Sequence, residues 1–359
     1  MNEIKKIKVL IIDDSLLVRN IIADILDQEK DIEVVATGKT GVECLDLAKK
    51  LNPDLIVLDI EMPIMDGLTA LEELRKLKIQ IPVIMLSVLT QHGANATFKA
   101  LELGAIDFIP KPSTQMKMDT KELGSILIQR LRGYFEGQNA IKKVKLSDSK
   151  PISQPLTKNK GFQKKRKLEA ICIGTSTGGP KALQVVLAGL PKEFPYPVFV
   201  VQHMPPGFTK AFAERMDTLS PILVKEAEQG EAVKSGVVYI APGDFQMKIV
   251  KSAKGKIIEL DKSPQVNGHR PSVEVTFDSV RNVYGGENLA AAIMTGMGRD
   301  GAEAIKRIKD ENGYTIAQNE ETSVIYGMNR SAVEIGGIDK VVALQDIAGV
   351  ILDIVKERE

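Results

Sequence analysis

The chain has 359 residues, 43% of them hydrophobic and 26% charged, with a formal net charge of +1 at pH 7. At about 150 residues per domain this is length for two domains, and the mixture is that of a globular rather than a disordered chain. No apolar run reaches the ~18 residues of a membrane span and the N-terminus turns acidic too early for a secretory signal, while Cys44 and Cys172 are too far apart for metal or disulfide spacing.

In chain order, short apolar runs alternate with helix-length segments: VLII before Asp13, EVVAT, LIVL before Asp59, VIML before Ser87, and DFIP before Lys111. Uninterrupted apolar runs are what strands covered on both faces require, so a parallel sheet with helices on either side is expected before residue 135. Ligands of such sheets bind beyond the carboxyl ends of the strands. Asp13, Asp14, Asp59, Ser87 and Lys111 all fall there. Three carboxylates at one spot repel unless a hard cation neutralises them, which implies a divalent ion such as Mg²⁺. A phosphoryl group on Asp59, the central carboxylate, would then meet the metal, the Ser87 hydroxyl and the Lys111 ammonium. Taken singly, such acids are equally well helix caps, as Asp14 or Ser15 would be.

Residues 139–167 hold ten basic side chains against Asp148, with Pro151 and Pro155 and few apolar residues. This composition reads as an extended, mobile linker, which gives domains over 1–135 and 168–359 separated by a basic linker over 136–167. The flanking stretches, 1–138 and 168–359, are each net −4, which argues against a DNA-binding output domain.

The second half repeats the strand and helix alternation with AICIG, PVFVVQ, VVYIAPG, LAAAIM and YTIAQ, and with helices over 302–311 and 345–357. QMKIV and KIIEL flank Lys254-Gly255 as an antiparallel hairpin. After AICIG, the turn Gly174 to Pro180 admits two readings. Its glycines could cradle a phosphate, but the spacing is neither GxGxxG nor GxxxxGK[ST], which also disfavours a nucleotide-binding oxidoreductase. It does satisfy GxSxG, the sharp turn that presents a nucleophilic serine, here Ser176, with the next N–H open to an oxyanion.

Such a serine needs a base, and the chain has three histidines. His92 lies in the first half and reads as a surface residue. His203 directly follows the strand PVFVV, at a carboxyl end like that of Ser176, and is the better candidate. His269, in the loop VNGHRPS, remains the alternative. Asp300, in the glycine-rich loop TGMGRDG after LAAAIM, would orient the imidazole; it is equally placed to cap the helix beginning near Ala302. The N–H groups of Thr177 and Met297 would face an oxyanion.

The first half resembles response-regulator receiver domains in IIDDS, LDIEMPIMDG, VIMLS and DFIPKP. The resemblance implies a flavodoxin-like fold in which Asp59 takes phosphate from a histidine kinase, Asp13, Asp14 and Asp59 hold Mg²⁺, and Ser87 and Lys111 are the switch pair. It also implies a cis bond at Lys111-Pro112. The second half resembles the catalytic domain of chemotaxis protein-glutamate methylesterases, also protein-glutamine glutaminases, in GTSTGGPKAL, VVQHMPPGFT, YIAPGDFQM, GHRPSVEVTF, TGMGRDGAEAI and AQNEETSVIYGM. That implies a doubly wound α/β domain with Ser176 as nucleophile, His203 as base, Asp300 as its partner and Met297 in the oxyanion hole. It further implies methylated chemoreceptors as substrate, with no cofactor for the ester reaction. A monomeric cytoplasmic enzyme, without nucleic acid or membrane insertion, is expected.

Overall fold

The computed structural model describes residues 6–88, 90–111, 120–146, 168–253 and 255–358; within these, the side chains of 91, 92, 122, 136–146 and 358 are not described. The chain divides after Arg132 into two compact units. In the first, β1 (Ile7–Ile12), α1 (Leu16–Asp27), β2 (Ile32–Gly38), α2 (Gly41–Leu51), β3 (Leu55–Asp59), α3 (Gly67–Lys76), β4 (Val83–Ser87), α4 (Gln91–Glu102), β5 (Asp107–Pro110) and α5 (Thr120–Leu146) alternate strictly. The sheet order is β2-β1-β3-β4-β5, and every pairing in it is parallel. All residues of β3, β4 and β5 are buried, as their continuous apolar composition requires when helices cover both faces. The helix caps are local: Ser15, Thr40, Asp66 and Thr90 each accept a backbone N–H of the first helical turn. Ser15, not Asp14, therefore caps α1, which leaves the Asp14 carboxylate exposed beside the strand ends.

Helix α5 continues to Leu146, beyond position 135, the expected end of the first domain. The rest of the expected linker, 147–167, lies outside the described residues, as does the Pro112 half of the expected cis bond.

The second unit carries β6 (Ala170–Thr175), α6 (Gly179–Ala188), β7 (Val198–Gln202), α7 (Phe208–Leu219), β8 (Leu223–Glu226), β9 (Val237–Ile240), β10 (Gln246–Ser252), β11 (Gly255–Asp261), α8 (Val273–Tyr284), β12 (Leu289–Ile293), α9 (Ala302–Asp310), β13 (Tyr314–Gln318), α10 (Met328–Glu334), β14 (Lys340–Val342) and α11 (Ile347–Arg358). Seven of these strands form a parallel sheet, β14-β13-β12-β6-β7-β9-β8, while β10 and β11 make the expected antiparallel hairpin. The two outer strands, β8 and β14, have no counterpart in the sequence analysis. They are short and largely half-buried or exposed, so they lack the apolar run that identifies the central ones.

The core between the sheet and α8–α10 includes Cys172, Phe199, Tyr239, Phe277, Ile293 and Ile308. α9 shows why it packs there: in AEAIKRIKD, Ala304, Ile305 and Ile308 are buried, while Lys306, Arg307 and Lys309 are not. No helix among the described residues is long and apolar enough to cross a membrane.

Candidate active site and phosphorylation site

In the first unit, β1 and β3 are adjacent in the sheet, and their ends bring Asp13 and Asp59 together. Carboxylate oxygens of Asp13, Asp14 and Asp59 lie within 4.8 Å of one another. Lys111 Nζ, just past β5, stands 2.7 Å from Asp13 Oδ2 and 2.7 Å from Asp59 Oδ2. Burial pushes the Asp59 carboxyl up to about 6; Lys111 opposes that rise and Asp13 adds to it. The same pair of acids outweighs the burial of Lys111 and holds its ammonium above the ordinary value. Three hard oxygen donors, one of them exposed, fit a divalent cation that keeps several waters. Such a charge would also relieve the repulsion between Asp13 and Asp59.

Ser87 is fully buried at the end of β4, but its hydroxyl faces α4 rather than the carboxylates. It accepts a 2.6 Å hydrogen bond from Thr97 Oγ1 and lies 3.3 Å from Gly93 O. Ser87 and Lys111 are joined through the backbone only, where Lys111 N donates to Ser87 O at 2.7 Å. His92 is in α4, with its side chain outside the described residues.

In the second unit, β6 and β7 pair up to Thr175 and Gln202, so Ser176 and His203 stand side by side one residue beyond the strand ends. His203 N donates to Thr175 O at 3.1 Å, and Ser176 N donates to Thr295 O at 3.0 Å, which ties in the end of β12. The buried amide of Gln202 donates to both Ser176 O, at 2.9 Å, and His203 O, at 3.0 Å. Thr295 Oγ1 donates to Thr177 O at 2.9 Å and accepts from Val324 N and Ile325 N, pinning the turn that carries Thr177. Met297 follows two residues later, half-buried.

His203 Nε2 lies 2.8 Å from Asp300 Oδ2, and both residues are buried. The other ring nitrogen, Nδ1, is buried without a hydrogen-bond partner among the described residues. Asp300 does not cap its own helix: the N-cap of α9 is Gly301, which offers no side-chain cap. Its carboxylate instead meets the N-terminus of α8, accepting from Val273 N at 2.7 Å and Glu274 N at 3.4 Å, as well as from Ser272 Oγ at 2.8 Å and Asn267 Nδ2 at 3.0 Å. Burial raises the cost of that charge, but the hydrogen bonds and the charge of His203, with Asn267 and Ser272, hold the carboxyl well below the ordinary carboxylate range. A helix N-terminus and two side-chain donors around one carboxylate make a fixed anion beside an imidazole.

His269 joins the site, its ring stacked on that of His203 with centroids 3.6 Å apart. Gln202, Asn267, Ser272 and Thr295 are site residues the sequence analysis missed. Of these, Asn267 and Ser272 carried local signals, the Asn-Gly pair of a tight turn and the N-cap serine of α8, but neither signal points to the site.

A parallel sheet with a serine, a histidine and a buried aspartate at its carboxyl edge, in a chain whose N-terminal unit carries a receiver-type acidic cluster, defines a two-module hydrolase of the response-regulator class. Two family models match: the CheB methylesterase over residues 171–351 and the response regulator receiver domain over residues 9–121. The chain is 43% identical to the protein-glutamate methylesterase/protein-glutamine glutaminase of Methanococcus maripaludis, over 98% of each chain. It is 46% identical to that of Archaeoglobus fulgidus, over 95% of this chain and 96% of the relative. The crystal structure of the Thermotoga maritima CheB methylesterase catalytic domain matches at 43% identity and TM-score 0.51, covering 53% of this chain and all of that one. The chain belongs to the protein-glutamate methylesterase/protein-glutamine glutaminase family, and it is an enzyme of that family.

Proposed function

We propose that the chain is a phosphorylation-activated serine esterase that hydrolyses γ-methyl glutamate esters on chemoreceptors, releasing methanol, and deamidates receptor glutamines in chemotactic adaptation. The observation that carries this reading is the His203–Asp300 contact of 2.8 Å beside Ser176 on the next strand end. Ser176 is the nucleophile and His203 the base. With Nε2 on Asp300, Nδ1 is the nitrogen left to take the Ser176 proton as Oγ attacks the ester carbonyl. Asp300 keeps the other proton on Nε2 and stabilises the imidazolium. The Thr177 and Met297 N–H groups receive the oxyanion. His203 then returns its proton to the leaving methanol, and a water activated by the same nitrogen releases glutamate from the acyl-enzyme. An amide substrate follows the same path with ammonia as leaving group.

Control lies in the first unit, read as a receiver over 1–135 that a linker over 136–167 joins to the catalytic domain over 168–359. A histidine kinase supplies the phosphoryl group and Asp59 accepts it. Asp13, Asp14 and Asp59 would hold Mg²⁺, which supplies charge neutralisation for the incoming phosphate. Lys111 meets one phosphoryl oxygen, and Ser87 leaves Thr97 to meet another. The protein acts as a cytoplasmic monomer. The test is methanol release from methylated receptor membranes, with and without a small-molecule phosphodonor. Release should rise with the donor and vanish in Ser176→Ala; release that persists in Ser176→Ala would refute the serine mechanism.

A further inference from the structure

Between the hairpin of β10 and β11 and helix α8, the chain makes a tight turn at Val266–His269. Val266 N donates to His269 O at 3.1 Å, and His269 N donates to Val266 O at 3.0 Å. The two central residues, Asn267 and Gly268, have φ of 53° and 80°. Two successive left-handed residues closing a two-residue loop is the turn that Asn-Gly favours. Gln246 Nε2 anchors its far end by donating to His269 O at 3.3 Å.

The side chains of this turn reach two different members of the site. Asn267 Nδ2 donates to Asp300 Oδ1 at 3.0 Å. The His269 ring lies over His203, with centroids 3.6 Å apart and planes within 12°. We propose that the Asn267–His269 turn is a positioning clamp on the His203–Asp300 pair: Asn267 fixes the carboxylate and His269 fixes the plane of the base by stacking. This rests on the reading of His203 as base and Asp300 as its partner.

The need for such a clamp follows from the hydrogen bonding of His203. Among the described residues its ring is held by one hydrogen bond, through Nε2, while Nδ1 has no hydrogen-bond partner. The second side-chain torsion of histidine is intrinsically broad, so one bond at the far nitrogen leaves the ring room to rock and swing Nδ1 off its aim. A flat ring at van der Waals distance blocks that motion on one face. Stacking needs only a planar partner, so the imidazole nitrogens of His269 are not what the clamp uses.

The experiment compares His269→Ala, His269→Phe, Gly268→Val and His203→Ala in the full-length protein, by steady-state methanol release across pH, with thermal unfolding as the fold control. No atom lies within 4 Å of where a Cβ would stand on Gly268, so Gly268→Val acts through the turn conformation and leaves both clamping side chains present. A small misplacement of a catalytic group costs up to ~10²-fold. His269→Ala and Gly268→Val should therefore lose about ten- to a hundredfold in kcat at nearly unchanged KM. His269→Phe should recover most of that loss and keep the wild-type pH profile. The clamp is overturned if His269→Ala turns over at the wild-type rate, or if His269→Phe is as slow as His269→Ala. It is equally overturned if His269→Phe loses a limb of the pH profile, because His269 would then itself exchange protons. Normal turnover by His203→Ala would instead remove the underlying assignment of the base, a result that separates the two failures.

Discussion

Replacing Asp300 by Asn changes no volume and removes one charge. The amide can present its NH2 group on either side. On the Oδ2 side it would face Val273 N–H, a fixed backbone donor, and would force His203 to accept at Nε2, putting the proton on the nitrogen the reaction needs empty. An orphaned buried N–H costs about 1–3 kcal/mol, which disfavours that orientation. On the Oδ1 side it would face Ser272 Oγ, which can rotate to accept, and the Asn267 amide, which can turn over; only the long 3.4 Å contact with Glu274 N is lost outright. That orientation wins and His203 keeps its tautomer. What is lost is the anion beside the developing imidazolium. At an effective dielectric of about 20, unit charges ~4 Å apart interact by ~4 kcal/mol, which is close to 10³-fold in rate. Methanol release should thus fall by roughly 10³-fold in kcat with the fold retained. The same change gives a stability signature of definite sign. Because its donors hold the Asp300 carboxyl below the ordinary 3.8, its contribution to stability is complete above that value and is lost as pH falls toward the folded-state value. Urea midpoints of the wild type should drop over that acid range more steeply than those of Asp300→Asn. Turnover within tenfold of wild type in a folded variant would refute the charge argument.

Ser176→Ala and His203→Ala should each lower methanol release by at least ~10³-fold and by similar factors, because members of one catalytic unit are not additive; a double variant much slower than either single one would contradict this. Asp59→Asn should take up no acid-labile phosphate from a phosphodonor and show no activation, and chelation of divalent cations should have the same effect on the wild type; labelling to full stoichiometry in Asp59→Asn would show another acceptor. Gly67→Ala would place a Cβ 1.9 Å from Asp59 O, a collision with backbone rather than with a movable side chain. Overpacking of this kind costs typically ~1–3 kcal/mol, so the unfolding midpoint of the first unit should fall and phosphorylation of Asp59 should slow; an unchanged midpoint would refute the packing at this loop.

Much of the protein is legible along the chain because its information is local. Continuous apolar runs mark β3, β4, β6, β7 and β12, since strands buried on both faces tolerate little else, and the residue after each run is placed at the carboxyl edge by chain direction. That is why Asp59, Ser176 and His203 could be singled out from the chain alone. β8 and β14 were invisible for the converse reason: edge strands are stabilised by pairing with a neighbour and show no apolar signature of their own. Asp300 marks the boundary most clearly. Locally it is a residue about to start a helix, and its sequence neighbours suggest that it caps that helix. Only the packing of α8 against α9 turns its carboxylate to the N-terminus of α8 and onto His203, 97 positions earlier. Gln202, Ser272 and Thr295, unlike Asp300, were missed, because hydrogen bonds from a side chain to groups distant in sequence leave no periodicity to read. Chain direction and burial decide which end of a strand carries chemistry, while the orientation of a buried charge is decided by whichever donors the tertiary fold brings within reach.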